Sequence, residues 1–270
     1  MNLEVFMAEV FGTMILILLG DGVVAGVLLA KTKSNASGWI VITMAWAFAV
    51  FAGVVVAGPW SGAHLNPAVT VGIYTRDLIK GVPIDAALFG TYIVAEMIGA
   101  MIGAFLVFLH YYPHWAETED PGLKLAVFST GPAIRNTAWN FLSEVIGTFV
   151  LVFVIFCFAG PSITGLAVTD NAVKAVSMGL GSVGALPVAL LVLVIGLALG
   201  GTTGYAINPA RDLGPRIMHA ILPIPGKGSS DWAYSWIPVV GPLVGGVVAA
   251  IVYQVIFVET VVKQTQIVLP

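Results

Sequence analysis

Gly204-Tyr205-Ala206-Ile207-Asn208-Pro209-Ala210-Arg211-Asp212 has an earlier echo in Ser61-Gly62-Ala63-His64-Leu65-Asn66-Pro67-Ala68-Val69-Thr70. Each stretch sets Asn-Pro-Ala inside a very apolar sequence, where a short helical pattern begins. Asn is a strong helix N-cap, and Pro suits the first helical position because its missing N–H would be unpaired there anyway. The apolar run after each motif is only about ten residues, about 15 Å at helical rise. That is about half of a bilayer's hydrocarbon core. Two half-helices with matching starts predict two re-entrant loops.

The rest of the chain fits a membrane interior. Of its 270 residues 59% are hydrophobic and 9% charged, against about a quarter charged in a soluble domain. A net charge of −3 with no basic run gives no reason to expect a nucleic-acid partner. Cys157 is the single cysteine, so no internal disulfide can form. The N-terminal apolar run lacks a basic n-region and is too long for a signal peptide, so it reads as a retained first span. Six segments are long enough to cross a bilayer, at roughly 5–30, 39–57, 84–109, 139–160, 185–203 and 237–258.

The halves repeat. Ala8-Glu9-Val10-Phe11-Gly12-Thr13 is echoed by Ser143-Glu144-Val145-Ile146-Gly147-Thr148 at an offset of 135 residues. The Asn-Pro-Ala motifs recur at 142, and Gly99-Ala100 answers Gly245-Gly246 at 146. We therefore read one membrane domain over 1–270, with repeat A at about 1–115 and repeat B at about 135–262. Three spans per unit is odd, so the second copy enters from the opposite side, and the special site of such an inverted repeat lies at mid-membrane. If each asparagine oxygen caps its helix, its NH2 remains to donate into a narrow passage. The positive ends of both helix dipoles add there and disfavour cations.

On these residues the chain resembles the aquaporin family, and more closely its glycerol facilitator (aquaglyceroporin) branch. The resemblance covers essentially the whole chain. It implies an all-α membrane fold of six helices plus two re-entrant half-helices. The implied function is passive conduction of glycerol, other small neutral solutes and water, with ions and protons excluded and no enzymatic activity or cofactor. A mainly water-selective channel, or one for urea, dihydroxyacetone or protonated lactic acid, is the alternative. The resemblance also implies a homotetramer, and a bacterial plasma-membrane location with both termini cytoplasmic. The basic residues do not support that orientation: Arg76, Lys80, Lys174 and Lys263 would lie inside, and Lys31, Lys33, Lys124, Arg135, Arg216 and Lys227 outside.

By the same resemblance, Asn66, Pro67, Ala68, Asn208, Pro209 and Ala210 meet in the pore. Arg211 forms a constriction that donates to solute hydroxyls, with Trp46 and Tyr205 as its aromatic walls. A polyol has a CH face for such walls and an OH face for the guanidinium. Gly196 matches the place where water-selective relatives present a histidine, and it leaves room for a carbon backbone. Its pairing with Gly200 could equally serve helix packing. Tyr205 departs from the phenylalanine usual in facilitators, and its phenol adds a donor that would polarise the slot. Glu9 and Glu144 are expected behind the loops, accepting their N–H groups, while His64 contributes a backbone carbonyl. Asp212 marks the glycerol-conducting branch, and in itself reads as a capping or pairing residue within the loop. Glu96 and Asp21 are unusual carboxylates without an assigned role.

Two other functional classes use related features. A secondary transporter also has inverted repeats and broken helices, but the acids in these spans do not form a relay. An intramembrane enzyme would need a Ser/His pair, an Asp pair or metal-ligand spacing at membrane depth, and the chain has no such pattern. Gly179-Leu180-Gly181-Ser182-Val183-Gly184 matches a dinucleotide-binding fingerprint but lacks a strand–turn–helix setting, so it reads as a connector. His110 and His114 near Glu117, Glu119 and Asp120 read as a solvated loop with an aromatic flank.

Overall fold

The computed structural model describes residues 2–158, 163–169, 172–178 and 180–259. Six long apolar helices organise the chain: α1 (Leu3–Leu28), α2 (Trp39–Ser61), α4 (Ala86–His110), α7 (Thr137–Cys157), α8 (Leu186–Leu199) and α10 (Ile237–Tyr253). A 3-10 turn lengthens α8 backwards to Gly181, and a π-helical turn carries α10 on past Tyr253, so all six can span a membrane. Between α2 and α4 lies the half-length α3 (Pro67–Ile79), and between α8 and α10 the half-length α9 (Pro209–Ile221). Each has 13 residues, about 20 Å of helix.

The pairing of helices follows the sequence repeat. In the first half α1 packs along both α2 and α4; in the second, α7 packs along α8 and α10. Small residues decide how close they come. A Cβ on Gly99 of α4 would run into the Val10 carbonyl and lie 2.9 Å from Thr13 Cβ on α1. A Cβ on Gly245 of α10 would lie 2.5 Å from the Val145 carbonyl and 2.9 Å from Thr148 Cβ on α7. The same backbone-to-backbone contact is thus built twice. Without a hydrophobic drive between helices in lipid, such close van der Waals packing carries the association. The lipid side is apolar, with Ile40, Phe48, Leu109, Leu142 and Val194 among the exposed large side chains.

Two connections are more ordered than the sequence suggests. The stretch after α4 folds into α5 (Tyr112–Glu117) and α6 (Pro121–Phe128), which bury Trp115 and Phe128 against each other. His114 is held by the Ala30 carbonyl at 2.9 Å, and Glu117 pairs with Lys31. That hydrogen bond and the ammonium charge hold the Glu117 carboxyl below its usual range. The connection between α7 and α8 contains an antiparallel hairpin, β1 (Ile163–Thr169) with β2 (Ala172–Met178), in register Ile163 to Met178 through Thr169 to Ala172. Gly179 lies outside the described residues, but the rest of its glycine-rich run enters the 3-10 turn before α8.

Candidate functional site

The site forms where the two half-helices point at each other. Asn66 caps α3 by accepting from the Ala68 N–H at 2.8 Å, and Asn208 caps α9 by accepting from Ala210 at 3.0 Å and Arg211 at 3.2 Å. Each asparagine then reaches across. Asn66 Nδ2 donates to the Ile207 carbonyl and Asn208 Nδ2 to the Leu65 carbonyl, both at 2.8 Å. This refines the sequence expectation that both amide groups are wholly available to the passage. One N–H of each NH2 is engaged in a reciprocal clasp, and one remains for a solute.

Behind each loop sits a glutamate. Glu9 accepts from the His64 and Leu65 N–H groups at 3.0 and 2.7 Å and from the Ser61 hydroxyl at 2.5 Å. Glu144 accepts from the Ala206 and Ile207 N–H groups at 3.1 and 2.9 Å and from the Thr203 hydroxyl at 2.6 Å. In a planar trans peptide the carbonyl points opposite to the N–H. Amides turned to the glutamates therefore turn the carbonyls of Ala63, His64, Tyr205 and Ala206 away from them, and all four residues line the cavity. The loops reach this shape by alternation: Ala63, Leu65, Tyr205 and Ile207 all have φ between +40° and +54°. Such a conformation is uncommon for non-glycine residues and persists only when its surroundings over-determine it.

The cavity has a volume of about 220 Å³ and follows the clasp in both directions. Its walls are mostly Val, Leu and Ile, and its polar groups are Asn66, Asn208, His64 and Arg211. Arg211 lies with its Cζ 4.2 Å from the centroid of the Trp46 ring, a distance at which a guanidinium is attracted to the aromatic face. Its Nη1 donates to Asp21 Oδ1 at 3.2 Å and to the Phe128 carbonyl at 3.4 Å. Nε and Nη2 have no acceptor among the described residues.

Two expected wall residues differ from the sequence reading. Gly196 does not line the cavity: a Cβ there would lie 2.8 Å from Tyr205 Cζ and 2.9 Å from Thr43 Cγ2. The space freed by the missing side chain is filled by the Tyr205 ring, which also crowds Gly200 and meets the Trp39 ring edge-on at 5.7 Å. The Tyr205 hydroxyl is turned into this packing and has no hydrogen-bond partner, so it is not a donor toward the passage. Tyr205 lines the cavity without offering its OH. Its bulk, not its polarity, distinguishes it there.

Asp212 is also set back. It accepts from the Thr130 N–H and hydroxyl, both at 2.7 Å, and from Arg216 Nε at 2.8 Å and Nη2 at 3.1 Å. Arg216 adds bonds to the Thr130 and Ser230 carbonyls, and both partners are fully buried. The far end of α9 is closed by Lys227, whose Nζ reaches the carbonyls of His219, Ala220 and Leu222 at 2.6 to 2.8 Å. Burial lowers the pKa of that ammonium. At the other mouth, His64 Nδ1 is 2.9 Å from Thr70 Oγ1, which donates to Glu96 Oε1 at 2.7 Å.

Paired half-helices, a shared cavity and a glutamate behind each loop define a membrane channel built from two related halves. The model of the Major intrinsic protein family matches residues 1–253, and the chain belongs to that family. It is 51% identical over 250 residues to glycerol uptake facilitator protein 3 of Lactiplantibacillus plantarum, covering 93% of this chain and 95% of that protein. It is 53% identical over 246 residues to the glycerol uptake facilitator protein of Streptococcus pneumoniae, covering 91% and 96%. The X-ray structure of the aquaglyceroporin from Plasmodium falciparum superposes with a TM-score of 0.78 at 28% identity, over 97% of this chain and 99% of that one. The protein is a multi-pass membrane channel and not an enzyme.

Proposed function

We propose that this channel passively conducts glycerol, other small neutral solutes and water, and excludes ions and protons. The observation that carries this is the clasp of Asn66 and Asn208 within a cavity that also holds Arg211 against Trp46. A solute passing the clasp meets N–H donors and positive helix ends, so it must offer oxygen lone pairs, which orients water and repels cations. At the neck, Nε and Nη2 of Arg211 bind hydroxyl oxygens while Trp46 and the aliphatic walls accept the CH edge. The carbonyls of Ala63, His64, Tyr205 and Ala206 take the hydroxyl protons. The relatives named as glycerol uptake facilitators support glycerol as the main solute. In this reading the unit is a homotetramer in a bacterial plasma membrane, with the termini cytoplasmic and Arg211 near the outer mouth.

The test is stopped-flow light scattering of proteoliposomes in glycerol and in an impermeant osmolyte. Wild-type protein is expected to admit both glycerol and water, with uptake linear in glycerol concentration. In Gly196→His the imidazole displaces Tyr205 toward the cavity, so glycerol entry falls at least about tenfold while water flow persists, tenfold being about 1.4 kcal/mol of barrier. Water flow without glycerol entry in wild type would make this a water channel. Saturable uptake coupled to a gradient would make it a transporter.

A further inference from the structure

The first helix contributes Gly20-Asp21-Gly22, a run with no counterpart in the repeat at the second half's Ile155-Phe156-Cys157. In the structure these residues meet the neck. Gly20 lies under the Trp46 ring, with no room for a Cβ between them. Asp21 is fully buried, and its Oδ1 takes Arg211 Nη1 at 3.2 Å while Oδ2 has no partner. The other buried pair on this arm is different: Arg216 grips Asp212 through two nitrogens and both oxygens. That pair is a two-point clamp and resists rotation, whereas Asp21 holds Arg211 by one nitrogen only.

We propose that Asp21 is a positioning residue that draws the Arg211 guanidinium back onto the Trp46 face and out of the lumen, so that the neck admits a three-carbon polyol. The proposal rests on the reading of Arg211 as the solute neck. One point of attachment on Nη1 fixes the side chain's retraction and leaves Nε and Nη2 for the solute. Without Asp21 the acceptor left to the Arg211 guanidinium among the described residues is the Phe128 carbonyl at 3.4 Å. A long flexible side chain left with that weak bond and the Trp46 face, and no carboxylate, turns toward solvated space, which here is the lumen.

The experiment measures glycerol and water permeability of the full chain in proteoliposomes for wild type, Asp21→Val, Asp21→Asn and Asp21→Val combined with Arg211→Val. In Asp21→Val the released guanidinium obstructs glycerol before water. The glycerol-to-water ratio is expected to fall about tenfold, the equivalent of one charged hydrogen bond. Asp21→Asn keeps an oxygen for Nη1, and its ratio stays within about threefold of wild type. The double variant removes the obstructing group and restores glycerol entry to at least the wild-type rate. An unchanged ratio in Asp21→Val overturns the proposal, as does a double variant as slow as the single one, since the carboxylate would then be packing alone. If Asp21→Val fails to insert, Asp21→Ser reads the same ratio. Absence of glycerol entry in wild type would instead defeat the functional reading.

Discussion

The two re-entrant arms share a frame and differ in what is hung on it. Both begin with a capping asparagine, hold two positive-φ non-glycine residues just before it, and present two N–H groups to a glutamate, the two glutamates lying 135 residues apart in sequence. After the cap they diverge. The first arm continues Val69-Thr70-Val71-Gly72, packing closely against α10 and meeting α4 through the Thr70 hydroxyl bond to Glu96. The second carries Arg211, Asp212, Arg216 and His219, all buried. Its end is closed by the Lys227 ammonium, whereas at the first arm's end backbone N–H groups take the last carbonyls and, among the described residues, the side chain that reaches them is the Gln254 amide, 3.4 Å from the Arg76 carbonyl. The repeat supplies the frame twice, and on the proposed reading selection is added to one copy. A charged group at membrane depth needs partners, so discrimination is concentrated where one set of partners can serve it.

That contrast can be broken by matched substitutions. The largest effect is expected for Asp212→Ala, which leaves Arg216 buried without its carboxylate; breaking such a pair costs about 3–5 kcal/mol. Asp77→Ala, which removes a half-exposed partner of Arg76 on the first arm, should stay below about 1 kcal/mol. Thermal unfolding in one detergent compares them, and equal losses would end the asymmetry argument. Glu9→Ala and Glu144→Ala come next. Each strands two loop N–H groups, about 1–3 kcal/mol apiece, and the two variants should lose stability and solute flow to the same degree. A mild phenotype in either one would show that the frame is not shared.

Smaller effects sharpen the difference at the arm ends. Lys227→Met removes a cation from a helix C-terminus, worth about 1–2 kcal/mol in a partly buried setting, whereas Gln254→Leu should lose about half of that. Least affected is the Lys31–Glu117 pair. The folded pKa of Glu117 lies below that of the unfolded chain. Its contribution is therefore present above the unfolded value of about 4.3 and lost as pH falls through the lower folded value. Glu117→Gln should flatten that acid limb of the unfolding profile without changing solute flow at neutral pH.

The shared frame was legible in the sequence because it is written twice. Glu9 with Glu144, and Asn66 with Asn208, repeat in matching contexts, and six apolar runs of sufficient length leave little choice of architecture. What escaped reading occurs once or depends on distant packing. Asp21 and Arg211 are 190 residues apart, and neither position predicts the other. The turn of the Tyr205 hydroxyl away from the lumen depends on Gly196, Gly200 and Trp39 meeting its ring from two helices. Helices α5 and α6, at six and eight residues, are too short to show periodicity, so the stretch around His110 to Asp120 reads in sequence as a solvated loop with an aromatic flank. Gly196 was read by what it lacks, and the space it leaves is already taken.

The exchange of hydrogen bonds between Asn66 and Ile207, and between Asn208 and Leu65, has a consequence for assembly during synthesis. Until residue 208 has emerged, the Leu65 carbonyl and one Asn66 N–H have no mate, although α1 through α4 can already be in the bilayer. The first arm is then a latch without a keeper. The clasp can close only once the second motif is in place beside the first.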